Sequence, residues 1–167
     1  MFQDEARFGR INSPHKCWVQ GKRPVVYCQI EREYTYAYVA ACPIDGTMDS
    51  LVLPVVSSAA MSMFLEEVSV RHIDKTIIMF MDQAGWHKAK DLNIPKNIRL
   101  VSLPAYSPEL NPVEHIWDEL REKWFHNFTF DSISGVEDRL GEGLRDLEEN
   151  LALVQSLTGF QWILSVG

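Results

Sequence analysis

A proline-rich segment that leads into an amphipathic helix, LPAYSPELNPVEHIW at residues 103–117, restricts the fold of this chain more than any other. Its prolines exclude a continuous helix or a central strand before Asn111. Asn111 is predicted to cap a helix that starts at Pro112, a position where a missing N–H costs nothing. An apolar stripe of period 3.6 follows, formed by Val113, Ile116, Trp117, Leu120 and Trp124.

Glu114 lies on the shoulder of this stripe, about 100° around the helix from Val113. A carboxylate at that angle is neither in the core nor fully in water. Two interpretations stay open from the segment alone. Glu114 either reaches back to the N–H of Asn111 as in a capping box, where the helix dipole also favours an acid, or it serves a site beside the core.

Length and composition predict a single globular domain spanning residues 1–167. At 46% hydrophobic residues the chain can build a core, and it has no membrane-length apolar run and no signal peptide. Its three cysteines, Cys17, Cys28 and Cys42, show no C-x-x-C spacing. This argues against a disulfide framework or a zinc site and favours a reducing cytoplasm.

The net charge of −7 argues against a nucleic-acid binder, but the charge is unevenly distributed. Residues 1–24 carry five basic and two acidic side chains, whereas residues 131–150 carry seven acidic and two basic ones. Lys16, Lys22 and Arg23, in a loop or irregular hairpin with Trp18, are candidates for contacts with DNA phosphates. A solvated hairpin and ordinary surface scatter are the alternative interpretation.

Hydrophobic periodicity predicts an α/β fold. Strands are expected at 1–8, 25–30, 34–42, 50–56, 76–81 and 98–103, and helices at 59–70, from 112 onward and along the stripe Val136, Leu140, Leu144, Leu147 and Leu151. Residues 76–81 form an unbroken apolar run, which predicts a central strand covered on both faces, and 98–103 is expected to be another buried strand. Strands joined first by turns and later by helices indicate a mixed sheet flanked by helices.

Three acids stand out on independent grounds. Asp4 shares the apolar face of the first strand with Phe2, Ala6 and Phe8, whereas Glu5 points to the other face. Asp82 follows a buried strand, where open α/β sheets bind ligands, and Glu114 follows the next strand. Taken singly, Asp4 could turn to solvent at a strand end and Asp82 could be a turn acid.

Together these acids favour a magnesium or manganese site. Carboxylates suit both ions, and two such ions about 3.5–4 Å apart can clamp the attacking and leaving oxygens of a phosphoryl displacement. The sequence contains no G-x-S-x-G, Gly-rich phosphate loop or H-E-x-x-H motif for a rival chemistry.

Three segments, FQDEARFG at 2–9, MDQAGWH at 81–87 and LPAYSPELNPVEHIW at 103–117, resemble the three blocks of the DDE transposase catalytic domain. The likeness is to the bacterial insertion sequence 630 branch of the mariner-like superfamily. It implies a ribonuclease-H-like fold, with a mixed five-stranded sheet flanked by helices on both faces. It also implies that Asp4, Asp82 and Glu114 bind two Mg²⁺ or Mn²⁺ ions, with Asp4 bridging both.

The resemblance also suggests supporting residues and one departure. His87, Asn111 and Tyr106 are candidates to hydrogen-bond near the site or to contact DNA, although His87 could equally have a packing role. Between Asp82 and Glu114 there are 31 residues, slightly fewer than in relatives, which indicates a shortened loop.

The implied activity is cut-and-paste transposition: hydrolysis at the element ends, then attack of the 3′-hydroxyl on target DNA, at TA in relatives. The implied partners are transposon-end and target DNA and a second copy of the chain, with no membrane. The helix-turn-helix domain that precedes the first acid in the family is expected to be supplied separately or lost. Bacterial cytoplasm, at the nucleoid, is the expected location. An inactive remnant and a stand-alone ribonuclease-H-like nuclease are the alternatives.

Overall fold

The fold is a five-stranded sheet with helices on both faces. The computed structural model describes residues 1–12, 14–16, 19–22, 25–89 and 91–165. The strands are β1 Phe2–Ile11, β2 Ile30–Ala41, β3 Met48–Leu53, β4 Ile77–Met81 and β5 Ile98–Ser102. The helices are α1 Ser58–Arg71, α2 Glu114–Leu120, α3 Ile133–Glu149, α4 Leu151–Thr158 and α5 Gln161–Leu164. Short 3₁₀ turns occur at Gly85–Lys88 and Pro108–Leu110, and a π-helical turn, Arg121–Phe125, continues α2.

The strand order is β3-β2-β1-β4-β5. The first three strands pair antiparallel, with Asp4 opposite Val39, whereas β4 runs parallel to both β1 and β5. The predicted mixed five-stranded sheet is therefore confirmed. Parallel neighbouring strands end at the same edge of a sheet. β4 and β5 therefore end at one edge, and Asp82, the residue after β4, lies at that edge.

Two hydrophobic clusters cover the two faces of the sheet, as predicted. On one face Phe8 and Val39 pack with side chains of α2 to α4, including Trp117 and Leu140. On the other face α1 supplies the buried side chains Met61, Phe64, Leu65 and Val68, which contact Tyr38 and Met79. Among the described residues, no helix is long and apolar enough to cross a membrane.

Several predicted strands differ in the structure. The strand predicted at 25–30 is wrong, because pairing begins only at Ile30, opposite Ile11, and Val25 and Tyr27 are largely exposed. The predictions that 76–81 is covered on both faces and that 98–103 is a buried strand are also wrong. Ile78 is 53% exposed and Val101 38% exposed, because β5 is an edge strand and β4 lies next to it.

The C-terminal stripe is divided between two helices. α3 ends at Glu149, and Asn150 caps α4 by accepting a hydrogen bond from the Leu153 N–H at 3.1 Å. Leu151, predicted to continue the apolar stripe, therefore starts α4 and is 49% exposed. An Asn side chain that competes for backbone N–H groups ends one helix and begins another, which periodicity alone does not detect.

Candidate active site

Three carboxylates from separate elements line one cavity of about 450 Å³. Asp4 lies on β1, Asp82 directly follows β4, and Glu114 is the first residue of α2. Their meeting follows from the topology, since β1 and β4 are parallel neighbours and the chain passes from β5 through residues 103–113 to α2. The structure thus brings together the three acids that the sequence singled out.

Asp4 is the most buried of the three and is held by an indole. Trp117 Nε1–H donates a hydrogen bond of 2.8 Å to Asp4 Oδ2. Burial raises the pKa of Asp4 to about 7, and the negative charges of Glu114 and Glu5 add to this rise, whereas the Trp117 hydrogen bond opposes it. A proton or a cation therefore stabilises this carboxyl group near neutral pH.

Glu114 does not form the capping box. The Asn111 N–H instead donates to the Pro108 carbonyl at 2.8 Å, and Asn111 Oδ1 accepts from the Val113 N–H at 3.3 Å. The side-chain amide of Asn111 donates to the Gln3 carbonyl at 2.9 Å, which ties the start of the helix to β1. α2 begins at Glu114 rather than at the predicted Pro112, yet Asn111 still orders the entry to the helix.

The electrostatic surroundings of Glu114 are mixed. Burial raises its pKa, the positive charges of Arg121 and His115 oppose that rise, and Asp118 and Asp82 add to it. Asp82 therefore acts on Glu114 through space, as expected for carboxylates on one cavity. Neither Asp82 nor Glu114 is paired with a lysine or arginine within 4 Å in the part of the chain that the structure describes.

Asp82 is oriented by a buried histidine. His87 Nδ1 lies 2.8 Å from Asp82 Oδ1, and His87 Nε2 lies 2.8 Å from Glu5 Oε1. Only 2% of the His87 side chain and 6% of the Glu5 side chain are exposed, compared with 57% for Asp82. Burial lowers the pKa of His87, but the hydrogen bond and charge of Glu5, together with Asp82, raise it overall. Both ring nitrogens can donate when the ring is protonated.

Sequence reasoning missed Glu5 and the hydrogen bond from Trp117. Glu5 was placed on the face away from the apolar side chains, but this face is covered as well, and a buried carboxylate needs a partner. Its partners are His87 and the Trp86 Nε1–H, which donates to Glu5 Oε1 at 3.3 Å. The sequence feature that could have pointed to this pair is His87, six residues after the end of β4.

The other predicted residues lie at different distances from the acids. Tyr106 lines the cavity and Asn111 supports it, as described above. Lys16 and Lys22 are exposed in the loop between β1 and β2 and do not line the cavity. Arg23 and Trp18 lie outside the described residues.

The donor set of the cavity suits a hard divalent cation. Carboxylate oxygens are the ligands that Mg²⁺ and Mn²⁺ prefer, and burial, with the nearby charges of Glu114 and Glu5, raises the pKa of Asp4. Within the described ranges, no three Asp, Glu, His or Cys side chains already stand close enough to hold a metal ion. Binding would require the side chains of the three acids to turn toward one another.

Solved structures of the Mos1 transposase share this fold. The paired-end complex with the left transposon end matches with a TM-score of 0.61 and 19% identity, over 95% of this chain and 55% of that chain. The strand transfer complex matches with a TM-score of 0.60 and 19% identity, over 95% of this chain and 54% of that chain. This chain therefore spans about half the length of the Mos1 chains, and the likeness establishes a ribonuclease-H-like fold.

Two sequence comparisons, with a relative and with a family model, identify the family of this chain. A relative from Sinorhizobium fredii (strain NBRC 101917 / NGR234), "Uncharacterized protein y4pE/y4sA", is 41% identical over 99 residues, which are 58% of this chain and 73% of the relative. The family model described as DDE superfamily endonuclease matches residues 1–137 and includes Asp4, Asp82 and Glu114. Since that match covers most of the sequence, the chain belongs to the DDE superfamily endonucleases.

Proposed function

We propose that this chain is the catalytic domain of a cut-and-paste DNA transposase and that Asp4, Asp82 and Glu114 bind two Mg²⁺ or Mn²⁺ ions. The observation that carries the proposal is the single cavity shared by these three acids in a member of an endonuclease family. The fold shared with a transposase supports it, and Mos1 has been solved in paired-end complexes with Mn and with Mg.

The reaction is a pair of phosphoryl transfers. Water attacks the scissile phosphorus at the element end, the P–O3′ bond breaks, and a proton leaves the attacking water as the 3′-hydroxyl is released. That hydroxyl then attacks a phosphodiester of the target DNA, where another 3′-oxygen departs. Bound divalent ions supply charge stabilisation for the attacking and leaving oxygens. Asp4 would contact both ions, and Asp82 and Glu114 one each.

The remaining side chains of the site act by positioning. Trp117 holds Asp4 by one oxygen and leaves the other for a ligand. His87, anchored by Glu5, restricts the rotation of the exposed Asp82. Asn111 ties the start of α2 to β1 and so keeps Glu114 at the cavity. Such supporting contacts commonly decide how well ligands are oriented.

The assembly is also part of the proposal. A net charge of −7 leaves little affinity for DNA phosphates, so a further DNA-binding segment would supply most of the affinity, either separately encoded or on a longer chain. Two copies would act together on paired element ends. Three exposed apolar residues of the β1–β2 loop, Val19, Val25 and Tyr27, and Ile30 at the start of β2 would suit contact with a second copy. The bacterial nucleoid, in the cytoplasm, is the proposed location.

Nicking of supercoiled plasmid by the purified chain at low ionic strength, where weak binding to DNA is strongest, tests the assignment with Mn²⁺ and then Mg²⁺. Asp4→Asn, Asp82→Asn and Glu114→Gln should each reduce nicking by about 100-fold or more, because each removes a ligand charge on which the phosphoryl transfer depends. Glu66→Gln, an exposed acid on α1, is the matched control and should retain activity. Nicking that survives in all three variants would refute the triad.

A further inference from the structure

Tyr106 is displayed at the rim of the cavity that contains the three acids. It lines this cavity, yet its side chain is fully exposed, at 101%. Its backbone has a φ of 57°, in the left-handed region. Within the described part of the chain, no hydrogen bond or ring contact of the Tyr106 side chain is formed. The ring therefore contributes no packing contact that would explain this conformation.

The backbone at Tyr106 is strained for its residue type. In the left-handed region the Cβ atom of an L-residue approaches the following carbonyl oxygen, and a bulky aromatic residue there is an outlier. Glycine or asparagine would adopt the same conformation at lower cost. Backbone strain of this kind clusters at binding and catalytic sites, where the surrounding structure holds the strained residue in place.

The segment that carries Tyr106 is held rigidly on both sides. Pro104 and Pro108 fix their own φ angles, and the Leu103 N–H donates to the Met81 carbonyl at 2.7 Å. Ser107 Oγ donates to the Ala105 carbonyl at 3.3 Å, directly across Tyr106. The backbone that carries the ring therefore loses little conformational freedom when the ring binds a ligand.

The chemistry around Tyr106 favours the face of a nucleobase as the ligand. The three acids of the same cavity would hold a phosphodiester of DNA through metal ions. The bases of the two nucleotides joined by that phosphodiester would then lie beside the cavity. The cavity lining contains no lysine or arginine among the described residues, so this rim offers no cation to a second phosphate. Aromatic rings stack on any base, provided that the base is not paired.

We propose that Tyr106 stacks on an unpaired DNA base next to the scissile phosphodiester, an inference that rests on the proposed function. Quenching of 2-aminopurine tests it directly. The probe is a DNA duplex with a short single-stranded tail that carries 2-aminopurine, with Ca²⁺ in place of Mn²⁺. Wild type, Tyr106→Phe and Tyr106→Trp should quench the fluorescence and bind the tailed duplex about ten-fold or more tightly than Tyr106→Ala.

Tyr106→Gly separates binding from folding. Because glycine relieves the strain, its melting temperature should equal or exceed that of wild type while quenching is lost. Equal quenching by wild type and Tyr106→Ala, or no quenching by wild type, overturns the inference. The inference is also overturned if Tyr106→Ala changes the oligomeric state of the protein and still quenches the fluorescence, because the ring would then contact protein and not DNA. Plasmid nicking tests the proposed function separately: nicking that survives in Asp82→Asn counts against the proposed function and not against the role of Tyr106.

Discussion

His87 Nε2 lies 2.8 Å from Glu5 Oε1, and both side chains are almost completely buried. The other ring nitrogen of His87 faces Asp82, whose side chain is 57% exposed. The buried pair of His87 and Glu5 therefore orients the carboxylate of Asp82, which is exposed in the cavity. Because a buried charge without its partner is costly, the two members of the pair depend on each other.

Glu5→Gln tests this dependence. Removing the charge of Glu5 leaves burial as the main influence on His87, so the pKa of His87 should fall. The stabilisation by the wild-type pair is present below the ordinary histidine pKa of 6.5 and is lost as pH rises through the raised pKa in the folded protein. NMR titration of His87 and thermal unfolding across this pH range provide the measurement.

In Glu5→Gln we expect a stability difference from wild type that is largest below pH 6.5 and shrinks above it. Metal-dependent nicking should also fall, because the His87 ring, which contacts the Asp82 carboxylate, loses its anchor. Glu31→Gln, an exposed acid on β2, is the control. An unchanged His87 titration would contradict the role given to Glu5.

Asp4→Asn is expected to stabilise the fold while abolishing activity. The pKa of Asp4 is raised from 3.8 to about 7, so folding is penalised progressively as pH rises from about 4 and fully above 7. Each pKa unit corresponds to ~1.4 kcal/mol, and the neutral amide removes a penalty of up to a few kcal/mol. Calorimetry at several pH values, without metal, measures this gain.

The gain in Asp4→Asn should vanish near pH 4, where the wild-type carboxyl group is protonated in the folded state. Addition of Mn²⁺ should stabilise wild type and leave Asp4→Asn unaffected, because bound ligand stabilises only a protein that binds it. Stabilisation of both proteins by Mn²⁺ to the same extent would contradict the ligand role of Asp4.

Trp117→Phe removes one hydrogen-bond donor and keeps an aromatic ring. Asp4 loses the contact that lowers its pKa, so this pKa should rise further and Mn²⁺ binding should need a higher pH. We expect a loss of stability of about 1–3 kcal/mol, since the hydrogen bond is to a partly buried charged group. Isothermal titration with Mn²⁺ at two pH values measures the shift.

Trp162→Phe serves as the control for Trp117→Phe, because the side chain of Trp162 in α5 is 48% exposed and forms no contact with the cavity. It should leave both stability and the pH dependence of Mn²⁺ binding close to wild type. If Trp162→Phe shifts the pH dependence of Mn²⁺ binding as much as Trp117→Phe does, the shift does not come from the hydrogen bond to Asp4.

Gln3→Met is expected to stabilise the fold. The side chain of Gln3 is fully buried, and neither amide atom forms a hydrogen bond within the described residues. An unsatisfied buried polar group costs about 1–3 kcal/mol, and methionine has a similar volume without that cost. Urea unfolding measures the gain, with the exposed Gln161→Met as control. A lower stability of Gln3→Met would show that the amide has a role in this core.

Local patterns in the sequence predicted most of the architecture. Alternation in β1 placed Asp4 on the face that packs against α2, and the parallel pairing of β4 with β5 agrees with the crossover expected between them. The strand predicted at 25–30 was wrong because strand propensity does not reveal whether a pairing partner exists. Here the partner, Ile11, is opposite Ile30 alone.

The sequence by itself determined which acids could meet, because the end of β4 and the proline-broken start of α2 are features that local residue patterns encode. Only the tertiary structure decided how these acids are held. Burial of Glu5 requires α1 and the 3₁₀ turn Gly85–Lys88 to cover the second face of the sheet. Ion pairing between β1 and that turn joins residues 82 positions apart, and no local period encodes such a contact.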